Sequence, residues 1–316
     1  MRRTLFIVLV LAALTAGCSR SKGPPIKGDF PVTRLTEHVY VIHGPNELPT
    51  KQNQGFMNNP GFVLTAKGVV VIDPGASVQV GEMVLKKIAT VTKDPVIAVF
   101  NTHIHGDHWL GNDAIRAAYP KAVIYAHPNM RAKATGEGEI WLKLMNTLTD
   151  DATKGTRAAP PNIDINNDET LALGGKHFRV LHTGVAHTDG DIMIEVVEDG
   201  VLFLGDNVVA ERTARMDDGN FKGNIAAAEA ALKTMATIFV PGHGQSGGRE
   251  VVENYRAYLT ALHATVKKYF DQGTSDFDMK DKVIADLRPY QKWAMFDAEI
   301  GRLIGLAYLQ IEAEAF

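Results

Sequence analysis

The stretch "NTHIHGDHWLGN", residues 101–112, follows directly on the apolar run "PVIAVF" at 95–100. It packs His103, His105, Asp107 and His108 into six positions, three of the chain's eleven histidines among them. A single histidine on an apolar face is ordinarily a satisfied core residue, but four potential ligands at this density do not read that way. On an extended segment, residues two apart point the same way. His103 and His105 can therefore reach a common point, with Asp107 in line two residues on. His108 faces elsewhere, as a second nearby metal would require. Imidazoles suit zinc and other borderline metals, and a carboxylate among them is typical of a hydrolytic site rather than a closed structural one. Two adjacent cations need more ligands than this segment supplies, so the remainder should lie at other strand ends.

Candidates stand there. "TGVAHTDGD" (183–191) places His187 in a Gly-containing turn after a strand, "VLFLGDNV" (201–208) ends a strand with Asp206, and "FVPGHG" (239–244) ends one with His243. Asp206 alone could be a helix cap or turn residue, whereas His243 between two glycines is a poor core residue. Asp73 in "VVVIDPG" (69–75) also ends a strand, and could be a simple turn residue before Pro74.

Around these points the chain alternates strands and helices. "TRLTEHVYVIHG" (33–44) reads as a strand, and "GFVLTAKGVVVIDPG" (61–75) as a hairpin turning at Lys67-Gly68. Between them lies a polar loop of sixteen residues, "PNELPTKQNQGFMNNP" (45–60), a length uncommon unless functional or mobile. Residues 77–92 have helical spacing, 95–100 form a buried strand, and "NDAIRAAY" starts a helix capped by Asn112 or Asp113. The second half repeats the theme. It has hairpins turning at Gly174-Gly175 and Asp199-Gly200, a helix from about Asn224 to Met235, a short strand in "TIFVPGHG", and a long helix from about Arg249. Two similar halves of this kind predict an α/β fold, a four-layer αββα sandwich of two packed sheets with helices outside. The stretch 273–316 reads as a helical, amphipathic C-terminal extension, either a packing appendage or a dimer contact.

With 316 residues, 45% hydrophobic content and a formal net charge of −3, the chain can bury a large core and offers no basic nucleic-acid surface. Its single cysteine excludes an internal disulfide framework. That cysteine, Cys18, ends "MRRTLFIVLVLAALTAGC", which has a basic start and an apolar run from Leu5 to Leu14. The run is shorter than the ~20 residues that span a bilayer but suits a secretory signal. "LTAGC" resembles a bacterial lipobox, which implies cleavage after residue 17 and lipidation of Cys18. The alternative is an ordinary signal peptide with Cys18 a bystander. Ser19 after the cysteine points to the outer membrane, on its periplasmic side. Loss of Arg2 and Arg3 with the leader takes the net charge to −5. The division expected is a signal peptide at 1–17, a flexible tether at 18–31, a catalytic domain at 32–272 and the helical extension at 273–316.

"HIHGDH" at 103–108, "AHTDGD" at 186–191, "GD" ending at 206 and "PGHG" at 241–244 together resemble the metallo-β-lactamase superfamily, in the right order from about residue 33 to 250. The resemblance implies the αββα fold with the site where the two sheets meet. Carried over position by position, one zinc takes His103, His105 and His187, the other takes Asp107, His108 and His243, and Asp206 bridges them. Iron or manganese are alternatives. Asp73 matches a position that supports the ligands from outside. Two cations ~3.5–4 Å apart can share a water, lower its pKa to ~7, and let the hydroxide attack a carbonyl or phosphoryl centre. Asp107 is the expected group to orient that hydroxide and shuttle a proton.

The substrate is less legible. Asp206 stands where the best-known lactamases carry a cysteine, and resembles the glyoxalase II, lactonase and phosphodiesterase branches; "AHTDGD" and "PGHG" look lactamase-like. A lactam, lactone, ester, thioester or phosphoryl compound is expected as the small-molecule substrate. Two other readings are a mononuclear-iron persulfide dioxygenase of the same fold and a non-catalytic lipid-anchored binding protein. Phe56 and Met57 in the long loop are candidate substrate contacts, and Trp109 either lines the pocket or packs. The segment 136–167 could form part of a lid. Arg212 and Arg215 could meet an anionic group but read as surface residues, and His38, His43, His127, His177, His182 and His263 as structural.

Overall fold

A computed structural model describes residues 21–315, so the leader and Cys18 lie outside the described residues. In chain order the elements are β1 (Val32–Arg34), β2 (Val39–Ile42), β3 (Gly61–Thr65), β4 (Gly68–Ile72), α1 (Val78–Val91), β5 (Val96–Phe100), α2 (Gly106–Trp109), α3 (Asn112–Ala118), β6 (Val123–Ala126), α4 (Pro128–Leu148) and β7 (Ile163–Asp164). The second half continues with β8 (Thr170–Leu173), β9 (Lys176–Leu181), β10 (Met193–Val196), β11 (Val201–Gly205), α5 (Phe221–Leu232), β12 (Ile238–Pro241), α6 (Arg249–Asp271), α7 (Asp276–Asp286) and α8 (Phe296–Ala315).

β1 to β7 form one sheet in sequence order, and β12-β11-β10-β9-β8 form the other. Alternation along single strands explains why the sheets stack. In β4, Val69 and Val71 point to α1 and its neighbours, while Val70 and Ile72 meet Phe178, Val180 and Val201 of the second sheet. In β11, Val201 and Phe203 join that central layer, and Leu202 and Leu204 turn outward to α5, α6 and α8. Both sheets are thus buried on two faces, which gives the four layers α, β, β, α.

Several local expectations change. The stretch 33–44 breaks into two short antiparallel strands, because Arg34 to Glu37 turn the chain and Thr36 takes the amides of His38 and Val39. Gly111, not Asn112 or Asp113, precedes α3, and Asn112 instead exchanges hydrogen bonds with Asn101. The helix expected from Asn224 starts at Phe221, capped by the Asn220 side chain on the Gly223 amide at 2.8 Å. Within the tether, residues 23–30 are held against the body. Gly23 donates to the Lys154 carbonyl at 2.8 Å, the Lys27 amide to Gln54 Oε1 at 2.8 Å, and the Phe30 ring meets Phe56 edge-on at 4.7 Å. The segment 136–167 is mostly α4, a 21-residue helix, followed by turns and β7.

The C-terminal helices share one apolar core with the second sheet. Ile300, Leu303, Ile304 and Ala307 of α8 are buried with Tyr258 and Leu259 of α6. Burying a side chain of this size stabilises by ~1.5–3 kcal/mol. Among the described residues, no helix is long and apolar enough to cross a membrane.

Candidate metal centre

β4 and β5 are parallel neighbours, as are β11 and β12. Their carboxyl ends lie at one edge of the sandwich, where open α/β sheets place ligands. Asp73 leaves β4, residues 101–108 leave β5, Asp206 leaves β11 and His243 follows β12. The turns are tight: a Cβ on Gly242 would lie 1.8 Å from Asp206 Oδ1, so only glycine lets these two chains approach.

The structure brings all seven proposed ligands together. His103, His105, His187 and Asp206 offer donor atoms within 4.8 Å of one another, and so do Asp107, His108 and His243. Asp206 lies between the two groups, with Oδ2 3.9 Å from His103 Nε2, 3.6 Å from His187 Nε2 and 3.3 Å from His243 Nε2, and Oδ1 3.3 Å from His108 Nε2. Asp107 Oδ2 is 3.3 Å from the Nε2 of both His108 and His243.

Four imidazoles spend one N–H outward. His108 Nδ1 donates to Asp73 Oδ2 at 2.8 Å, His243 Nδ1 to the Met57 carbonyl at 2.9 Å, and His105 Nε2 to Asp218 Oδ2 at 3.1 Å. Thr102 gives its hydroxyl proton to Asp73 at 2.6 Å, so it accepts from His103 Nδ1 at 3.0 Å. Asp73 therefore orients His108 directly and His103 through Thr102, and also takes the Thr102 amide at 2.8 Å. Its own backbone sits in the left-handed region at φ 49°. Outward bonds of this kind fix which nitrogen of each ring keeps its lone pair for the centre.

Electrostatics follow from crowding. Burial pushes His187 down to about 3, aided by His105, and pushes His103 well below the ordinary histidine value, aided by His108. Burial opposes charge on His108 and His243, yet neighbouring carboxylates prevail. Asp107, Asp206 and Asp73 raise His108 strongly, and Asp206 raises His243. Against their own burial, Asp107 and Asp206 are held well below the carboxylate range by His108 and His243.

Buried His103 Nε2, Asp107 Oδ2 and Asp206 Oδ1 have no hydrogen-bond partner among the described residues. Lone pairs left this way in a dry site are costly, and cations between them would satisfy all three. The residues fit a divalent metal, and two clusters sharing Asp206 fit a pair.

A family model described as "Metallo-beta-lactamase superfamily" matches residues 54–248. The chain belongs to the metallo-beta-lactamase superfamily. The match runs from the end of the long loop through both sheets' site-forming strand ends and stops just before α6. A hydroxyacylglutathione hydrolase of Synechococcus sp. (strain JA-3-3Ab) is 30% identical over 182 residues, 58% of this chain and 53% of that protein. The chain thus spans about half the length of that relative. A metallo-beta-lactamase from Pontibacter korlensis is similar in structure, with TM-score 0.58 and 21% identity over 73% of this chain and 99% of that one. The sec-alkylsulfatase Pisa1 from Pseudomonas sp. has TM-score 0.69 and 16% identity over 89% of this chain and 50% of that one. These two likenesses show the fold.

A cavity of about 300 Å³ opens above the centre, with His105, Asp107, His187, Asp206 and His243 on its floor. Its walls correct the proposed substrate contacts. Trp109 is fully buried, donates from Nε1 to the Ile104 carbonyl at 2.8 Å, and does not line the cavity. Phe56 is likewise fully buried in the core of the first sheet. Met57 does reach the cavity, as do Leu48 and Pro49 of the same loop. Arg212, read from sequence as a surface residue, is only 5% exposed and lines the wall. Arg215 keeps a 45% exposed side chain.

Of three further contributions, the first falls within the segment 136–167 expected as part of a lid, and the other two carried no signal that sequence reasoning picked up. Trp141, Leu144, Met145 and Leu148 of α4 line one wall at positions i, i+3, i+4 and i+7, a helix face readable once the segment is taken as a helix. Glu299 and Arg302 bring α8 into the cavity, and Asp218 supports His105 from an unremarkable turn. The six histidines read as structural lie outside both clusters.

Proposed function

We propose that this metallo-beta-lactamase-fold hydrolase holds two divalent ions, zinc foremost, and hydrolyses an acyl compound, with thioesters first among candidates. The observation that carries the reading is the pair of ligand clusters joined at Asp206 beneath an open cavity. The similarity to a hydroxyacylglutathione hydrolase supports the thioester class. His103, His105 and His187 would hold one ion, Asp107, His108 and His243 the other, with Asp206 between. Bound there, such a pair supplies Lewis acidity and lowers the pKa of a water.

The chain's own residues set up the rest. Asp107, held ionised by the His108 and His243 rings beside it, also faces the cavity. It can accept a proton from the attacking water and return it to the leaving group. Asp73, Thr102 and Asp218 hold the rings still, and the apolar α4 wall keeps bulk water from the reacting carbonyl.

The test is metal analysis with a substrate panel. Purified protein should carry about two zinc ions per chain and hydrolyse at least one of a hydroxyacylglutathione thioester, a lactone, a β-lactam or a phosphodiester. One iron with oxygen uptake on a persulfide, or metal-free protein with no turnover, overturns it. Export and anchoring through Cys18 are proposed from the leader sequence alone. Labelled palmitate should enter the wild type and not Cys18→Ser; equal labelling of both overturns the anchor.

A further inference from the structure

Arg212 stands out among the residues around the cavity. It is a nearly buried guanidinium at the cavity wall, and Nη1 donates to the Glu47 carbonyl at 2.9 Å. Among the described residues, none of its remaining N–H groups has a protein acceptor and it forms no ion pair. The other two cavity arginines are neutralised. Arg215 and Arg302 both pair with Asp217, Arg215 at 3.1 Å, and Arg302 also lies 3.8 Å from Glu299. The free positive charge of the wall is therefore Arg212.

Its position is built rather than incidental. The Thr213 amide donates to the Ala294 carbonyl at 3.0 Å, and the Ala294 amide to the Glu211 carbonyl at 2.9 Å. These bonds pin the strand-like segment 211–213 to the chain just before α8, with Glu211 held in the left-handed region at φ 50°. A strained, doubly pinned segment thus holds a buried cation at the site. Burial disfavours its charge, and the carboxylates that offset this are Asp206, Asp107 and Glu299. Two of those three are ligands in the proposed centre. Once they are committed to cations, Arg212 lacks a counter-charge, and Glu299 is already shared with Arg302. A planar fork of free N–H donors suits a carboxylate or similar oxyanion.

The same cavity also has apolar lining. Leu48 and Leu148 at the cavity are 38% and 44% exposed, and Trp141 and Leu144 line the same cavity, so its apolar residues form a group rather than standing singly. Exposed apolar surface beside a free cation fits a ligand with both characters.

We infer that Arg212 anchors an anionic group of the substrate while its apolar part lies along Leu48, Trp141, Leu144 and Leu148, so that the substrate is an anionic amphiphile. This rests on the hydrolase reading for the floor of the site and names the substrate class for it.

The test uses binding, not turnover. Calorimetry on the zinc-loaded protein compares octanoate with octan-1-ol, which share a chain length and differ in charge. Octanoate should bind about 10-fold tighter or more, as charge-assisted hydrogen bonds allow. Arg212→Gln should remove most of that preference at unchanged zinc content. Equal binding of the two probes by wild type overturns the inference, and so does a preference that survives Arg212→Gln, since the anion then goes to the metals. If Arg212→Gln does not fold, Arg212→Lys decides. A preference cut about threefold or more, as loss of the fork requires, supports the anchor, and an unchanged one overturns it. The two readings fail separately. A protein that hydrolyses nothing yet shows the Arg212-dependent preference sinks the hydrolase alone, and an active zinc enzyme with an Arg212-independent preference sinks the anchor alone.

Discussion

The floor of the cavity and its wall are built on different principles. Floor residues sit on turns that follow strands, and the rings of His103, His105, His108 and His243 are each held by a hydrogen bond outside the cluster. Wall residues come from α4, the loop 45–60, the segment 209–215 and α8, and are placed by packing between distant parts of the chain. On the proposed reading, chemistry belongs to the first group and selectivity to the second. Changes to the floor should therefore abolish function with little loss of fold, whereas changes to the wall should alter binding.

The largest effect expected is at Asp206, which touches both clusters. Asp206→Ala should reduce hydrolysis by more than the ~100-fold that marks the upper end for an outer-shell loss, with metal content falling alongside. Near-normal turnover on the same substrate would place the bridge elsewhere.

Two tryptophans sharpen the contrast between core and wall. Trp109→Ala should cost ~3–5 kcal/mol of stability in a denaturant melt, because it empties a fully buried site and strands the Ile104 carbonyl. Trp141→Ala, on the cavity, should instead raise KM while costing less than half as much stability. Equal losses of stability would remove the distinction.

Asp73 tests the floor's support. Asp73→Asn tolerates the left-handed backbone but weakens the charge behind His108 and Thr102. Metal affinity should drop ~10–100-fold, measured by competition with a chelator. An unchanged affinity would make Asp73 a turn residue only.

The smallest effect is in pH dependence. His108 and His243, whose pKa values are raised by carboxylates, must give up protons before cations enter, so metal affinity should rise with pH through neutrality and loading should release protons. Burial lowers the Arg212 guanidinium from a value far above this range, so octanoate affinity of the loaded protein should be flat between about pH 6.5 and about pH 9. A flat metal titration, or a steep octanoate profile, would reverse the assignment of floor and wall.

The same contrast explains what could be read from sequence. His103, His105, Asp107 and His108 announce themselves because ligands at strand ends must be local and chemically distinctive, and the order of strands and helices in two similar halves predicts the layers. For Trp109 the sequence leaves lining and packing both open, because adjacency along the chain is not adjacency to the cavity: α2 turns the ring inward to the Ile104 carbonyl. Arg212 looked like a surface cation because nothing near it in sequence shows that residues around Ala294 close over it. Long-range packing of α8 decides that, and no local pattern encodes it.

The most direct test of the dinuclear centre is metal stoichiometry by plasma mass spectrometry on wild type and Asp206→Ala prepared side by side. About two zinc ions per wild-type chain, falling to one or fewer in the variant, is the predicted result. A single ion in wild type that Asp206→Ala leaves in place would contradict it.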